Sequence, residues 1–151
     1  MGCSYKKLIL ILLLALTGVY SYGQELTAVI ANNIKYGRTE YLEQYSTASA
    51  INDCMGVGNS KKYNLLAISI KLKSIKSLKF FVEKGADLEN VCDDKTPLMY
   101  AAKYGQLEMF KYLVEQGADM DVSLRGSKAM SYARRFNNRD IVKYIKGLKT
   151  P

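Results

Sequence analysis

Histidine is absent from all 151 residues. That gap removes the commonest general base, the commonest metal ligand and the usual proton switch near neutral pH. A nucleophilic serine or cysteine would lack its customary base. No glycine-rich phosphate loop is present, and Cys3, Cys54 and Cys92 have no metal-ligand spacing. The carboxylates are scattered rather than convergent. These absences argue against an enzyme and predict neither a metal nor a cofactor. Long apolar runs are missing too: the longest, Leu8 to Leu16, falls far short of the roughly 20 residues that cross a bilayer as a helix.

What is present suits one folded domain. Apolar residues make up 48% of the chain, and the formal charge is +8. The start, with Lys6 and Lys7 before the short apolar run and small residues at Ser21 and Gly23, predicts a signal peptide over residues 1–23 and a mature chain over 24–151. Lipid attachment fits poorly: Cys3 precedes the apolar run, and Lys6 stands where myristoylation requires Ser or Thr. The expected location is therefore periplasmic or secreted. Cleavage would remove Lys6 and Lys7 and no acid, so 22 basic residues become 20 against 14 acidic, a net +6. It would leave Cys54 and Cys92, which an oxidising compartment allows to pair and which would otherwise be two idle thiols.

The chain repeats itself. KFFVEKGADLE at residues 79–89 returns as KYLVEQGADMD at 111–121, 32 residues on, and VKYIKG from Val142 is a weaker echo. A fixed period in the range of 20–50 residues marks stacked structural units. In the best-formed unit, Asp93 to Asp121, Thr96 before Pro97 starts a helix and Gly105 ends it. A second amphipathic helix carries Met109, Phe110, Leu113 and Val114 at helical spacing, and Gly117 closes it.

The stretch TPLMYAAKYGQLEMFKYLVEQGAD at 96–119 resembles the ankyrin repeat. The resemblance implies an all-α solenoid of about four helix–turn–helix units with short hairpin-like connections, near 25–52, 60–91, 92–123 and 124–149. The outer two depart most from the pattern, as the ends of a solenoid should. Other departures are Met99 in place of the family's histidine, Asp94 in place of a hairpin glycine, and Asn64-Leu65 in place of Thr-Pro. The first two units are spaced by 36 residues rather than 32; the extra length falls in Ile51 to Asn64, which predicts a longer first finger.

The resemblance also implies a non-catalytic scaffold that meets a protein partner along its concave groove. Carried over by position, the end of each first helix supplies Lys35-Tyr36, Lys71-Leu72, Lys103-Tyr104 and Arg135-Phe136. One column is cationic throughout and its neighbour aromatic or leucine, so stacking predicts two parallel ladders. Hairpin positions add Lys61, Tyr63, Lys95 and Arg125, with Asp93 as a dissenting acid. A row of like charges is not expected from stability alone, and aromatic contact area is the composition of binding hot spots. The expectation is a monomer whose groove receives an acidic protein surface, with no nucleic acid as partner; a solvated lysine face is the plainer account of the same residues. Lys76, Lys79, Lys111, Lys143 and Lys146 fall on second helices, where they read as solubilising. Two alternatives stay open: an immunity or inhibitor protein that plugs a secreted toxin or enzyme, and an electrostatic binder of an anionic envelope component.

Overall fold

The computed structural model describes residues 28–47, 50–57 and 61–148. The segment read as a signal peptide lies outside them. Seven α-helices are found among the described residues: α1 (Ala28–Lys35), α2 (Leu65–Lys71), α3 (Ile75–Glu83), α4 (Pro97–Tyr104), α5 (Leu107–Glu115), α6 (Ala129–Arg135) and α7 (Arg139–Leu148). Helices α2/α3, α4/α5 and α6/α7 pack as pairs, and the first helices pack in chain order, α1 on α2, α2 on α4, α4 on α6.

Side-chain caps set the helix starts. Thr96 accepts from the Met99 N–H at 3.3 Å, ahead of Pro97 in the first turn of α4. Asn64 does the same for α2, accepting from Ala67 N–H at 2.8 Å, so the lost Thr-Pro pair costs no helix. Its amide also donates to Asn90 O at 2.9 Å. The cap thus ties a helix start to the next hairpin.

The first unit differs from expectation. In place of a second helix it has two 3-10 turns, Thr39–Tyr41 and Glu43–Tyr45. Neither turn has a side-chain cap, and between them only Leu42 is buried. One buried residue cannot anchor several turns of helix, whose stability in proteins comes mainly from a packed face. The long finger is an antiparallel ribbon of β1 (Met55–Val57) and β2 (Lys61–Tyr63), with Met55 opposite Tyr63.

The core runs through every unit. Ile34, Leu42, Met55, Leu65, Ile70, Leu78, Phe81, Leu98, Tyr100, Phe110 and Leu113 are completely buried. Ala101 and Ala102 are buried too, and their small side chains let α4 sit close to both α2 and α6. Between helices the backbone bends through the left-handed region at one recurring position: Gly37 (φ 60°), Lys73 (φ 59°), Gly105 (φ 68°) and Asn137 (φ 55°). At Gly37 and Gly105 a side chain from the following unit covers this bend. Ser77 Oγ donates to Ile34 O at 2.7 Å, and the Asn138 amide donates to Ala102 O at 2.7 Å and Lys103 O at 3.1 Å. The orphan carbonyls at a helix end are thereby satisfied across units.

The hairpins are tied in the same manner. Asn52 Oδ1 accepts from Asp87 N–H at 2.9 Å, and Glu89 Oε1 accepts from Asp119 N–H at 2.8 Å. Glu89 Oε2 is buried with no partner. Burial, and then the charges of Asp119 and Asp87, push the Glu89 carboxyl above its ordinary 4.5 against the lowering effect of the Asp119 N–H. A carboxyl raised in the folded chain favours folding while protonated and opposes it once ionised. Glu89→Gln should therefore raise the thermal midpoint at pH 7, and the gain should vanish as pH falls below about 4. A midpoint difference independent of pH would contradict this.

Candidate functional site

The ends of α1, α2, α4 and α6 present the two columns. Lys35, Lys71 and Arg135 are exposed and Lys103 is half-buried. Beside them Tyr36 and Phe136 are 61% and 47% exposed, large values for aromatic rings, whereas Leu72 and Tyr104 are half-buried. The cations stand over aromatic faces. Lys71 Nζ is 4.6 Å from the Tyr63 ring centre, Lys103 Nζ is 5.4 Å from Tyr104 and 5.5 Å from Phe136, and Arg135 lies 5.6 Å from Tyr132. Lys35 sits 5.2 Å from its own neighbour, Tyr36. Each such contact is worth about 0.5–1 kcal/mol where exposed.

The hairpin residues reach the same surface. Lys95 Nζ lies 5.7 Å from Tyr100 and 6.0 Å from Tyr132. Its ammonium is paired with Asp93 Oδ2 at 3.2 Å, so the dissenting acid neutralises part of the patch. Arg125 is paired with Asp94, at 3.0 Å. Tyr63 departs from its expected role as a contact residue. It is 2% exposed, its ring 5.3 Å from that of Tyr100. Because β2 leads straight into α2, Tyr63 points into the core and leaves Lys71 above it.

Tyr100 and Tyr104 stack at 6.2 Å with planes 10° apart. Tyr100 is wholly buried, and its hydroxyl donates to Cys92 O at 3.0 Å. Burial drives its phenol well above the ordinary range. Tyr104 is pushed up to about 12, by burial first and then by a hydrogen bond with Tyr63. Both stay neutral at physiological pH. Lys103 is held below the ordinary lysine value by burial, then by Lys95, with Lys61 adding to the effect, while Tyr63 and Asp93 act in the opposite sense. The cations that bear on Lys103 thus come from the hairpins.

One covalent bond arranges those hairpins. Cys54 and Cys92 form a disulfide with Cα atoms 5.8 Å apart. Cys54 immediately precedes β1, and Cys92 pairs with Lys95 across the Asp93-Asp94 turn. The finger that carries Lys61 is thereby fastened to the hairpin that carries Lys95.

Sequence reasoning did not single out Tyr100 and Tyr132, which carry the Lys95 and Arg135 contacts. Their 32-residue separation was a usable signal. Cation–aromatic pairing is not confined to the groove, since Lys79 over Tyr112 and Lys111 over Tyr144, each at 5.3 Å, repeat on the second helices. Two open cavities, of about 410 and 440 Å³, lie on α6 and α7 and between α5 and α7, away from the groove. Among the described residues no group of three or more acidic or cysteine side chains could hold a metal ion, and no helix is long and apolar enough to cross a membrane.

The family model described as ankyrin repeats (3 copies) matches residues 30–123 and again 65–149. The two matches together span 120 of the 151 residues. A search of curated proteins finds no match to the chain.

Proposed function

The chain belongs to the ankyrin repeat family, and on that premise we propose that it is a non-catalytic binding protein acting in the periplasm or outside the cell, whose concave groove receives an acidic surface of a protein partner. Ankyrin repeats are generally protein–protein interaction modules and typically non-catalytic. The observation that carries the groove is the set of cations held over aromatic rings at the ends of α1, α2, α4 and α6. Exposed rings beside a row of positive charge supply both contact area and charge selectivity. The Cys54–Cys92 bond supports an oxidising compartment, because such bonds persist mainly in exported proteins.

The test is affinity capture from the native envelope fraction, with the chain from Gln24 onward as bait. That chain contains every described element and the whole described core. A parallel bait carries Lys35→Glu, Lys71→Glu, Lys103→Glu and Arg135→Glu. The expected result is one protein retained by the wild type and reduced at least tenfold by the variant. Equal retention by both baits would sink the groove. The net charge of +6 that cleavage would leave favours one second reading, binding of an anionic envelope polymer. Affinity for a polyanion collapses steeply between low and moderate salt, whereas a shape-fitted protein interface fades less. Neighbouring genes would separate an inhibitor or immunity protein from an adaptor, since immunity proteins are typically encoded beside their toxins.

A further inference from the structure

We propose that the α6/α7 pair carries a second binding site, outside the groove, in which Arg134, Arg139, Lys143 and Lys146 receive a phosphate monoester with a small organic body. Arg139, Val142, Lys143 and Lys146 stand at i, i+3, i+4 and i+7 along α7, which sets them on one helix face. Arg134 joins them from the last turn of α6. With Ala133 and Asn137 they line one open cavity of about 410 Å³, and no carboxylate is among the described residues that line it.

These cations are not inherited from the repeat. One period of 32 residues earlier, the positions of Arg134, Arg139 and Lys146 hold Ala102, Leu107 and Val114, and two periods earlier Ile70, Ile75 and Val82. All six are packed in or against the core. Lys143 alone keeps its counterpart, Lys111. A solenoid face that meets water needs polar side chains, but four charges of one sign oppose one another along a helix. Mixed signs would serve solubility without that repulsion. Among the described residues none of Arg134, Arg139 and Lys143 is in a salt bridge. Arg139 is also held in place: its Nε donates to Asn137 Oδ1 at 3.2 Å, from the bend where Asn137 has φ 55°. The two terminal nitrogens of the guanidinium are left for a ligand.

The donor set selects the anion. A planar guanidinium fork matches phosphate oxygens two at a time, and lysine adds point charge. Four cations answer the near-double charge of a phosphate monoester better than a single carboxylate. The cavity falls in the size range of small-ligand sites and is roomier than a bare phosphate requires. Ala133, Val142 and the methylene stems of the cations offer apolar contact to a carbon body. Such a monoester is found on soluble polyol phosphates and on the headgroup of phosphatidic acid.

The experiment titrates the chain from Gln24 onward with glycerol 3-phosphate and follows the arginine side-chain NMR signals. The expected result is saturable binding with shifts centred on Arg134 and Arg139, at least about tenfold tighter than for the dicarboxylate glutarate and tighter than for inorganic phosphate. Arg139→Gln and Lys143→Gln should each weaken it about tenfold without lowering the thermal midpoint. Lys79→Gln should leave it unchanged, as should Lys35→Glu/Lys71→Glu/Lys103→Glu at physiological salt, where distant charges are screened. Shifts centred elsewhere, glutarate or inorganic phosphate bound as tightly, or undiminished binding by Arg139→Gln/Lys143→Gln would each overturn the site. Phosphatidylcholine vesicles with and without phosphatidic acid distinguish the two sources. Retention by the phosphatidic acid vesicles alone, abolished by Arg139→Gln, assigns the lipid headgroup, and glycerol 3-phosphate binding without retention assigns the soluble ester.

Discussion

Cys54→Ser should lower the free energy of unfolding by about 3–4 kcal/mol, the largest single loss expected from any exposed side chain in this protein. The bond closes a loop with a sequence separation of 38. Opening it returns to the unfolded chain the entropy that the cross-link had removed, about 4 kcal/mol for a loop of that size. Cys54 is exposed, whereas Cys92 is buried, so serine at position 54 removes the bond without burying a hydroxyl. Urea unfolding followed by circular dichroism would measure the change. Reductant should shift the wild type to the variant's midpoint and leave the variant where it is. A wild type that loses less than about 1 kcal/mol on reduction would mean that the finger is held by its other contacts. Those include Asn52 bonded to Asp87 N–H and Asn64 bonded to Asn90 O. Loss of the bond should also weaken partner capture beyond its effect on stability, because the bond fastens the finger that carries Lys61 to the hairpin that carries Lys95.

Gly105→Ala should cost about 2–4 kcal/mol. The backbone there is left-handed, at φ 68°, which costs an L-residue about 1–2 kcal/mol. A Cβ at this position would also stand 2.6 Å from Asn138 Oδ1, too close for any contact. Asn138 must then move and release its two bonds to Ala102 O and Lys103 O, each worth about 1 kcal/mol. Two comparisons isolate the terms. Gly117→Ala meets nothing within 4 Å at φ 98° and should show the backbone cost alone. Lys73→Gly reverses the backbone cost at the equivalent bend, where an exposed lysine holds φ 59°, and should stabilise by about 0.5–1 kcal/mol. Thermal melts of the three variants measure all of this. Equal losses for Gly105→Ala and Gly117→Ala would refute the clash with Asn138.

Much of the fold is legible in the residues because each unit makes its own helices from local signals. Thr96-Pro97 starts one and Gly105 ends it, and the apolar spacing of Met109, Phe110 and Leu113 picks the face that is buried. The first unit shows where local reading stops. A second helix is expected in every unit, yet this segment forms two 3-10 turns, since its fate depends on how much of it a neighbour covers. Asn64 shows the reverse, an apparent departure from the repeat that preserves the cap and adds a bond across units.

The sequence alone determined the period, the stacked helix pairs, the want of any histidine chemistry and the column of cations at helix ends. Those features depend on residues within one unit, whose spacing is visible along the chain. Tertiary structure alone decided that Cys54 meets Cys92, that Tyr63 turns inward rather than out, that Asn138 seals the bend at Gly105, and that Lys61 and Lys95 bear on Lys103. Each of these joins residues of different units, and the distances between them follow from how far each helix pair is shifted and turned against the next. That displacement depends on how buried side chains, Ala101 and Ala102 among them, pack between units, and no periodicity records it.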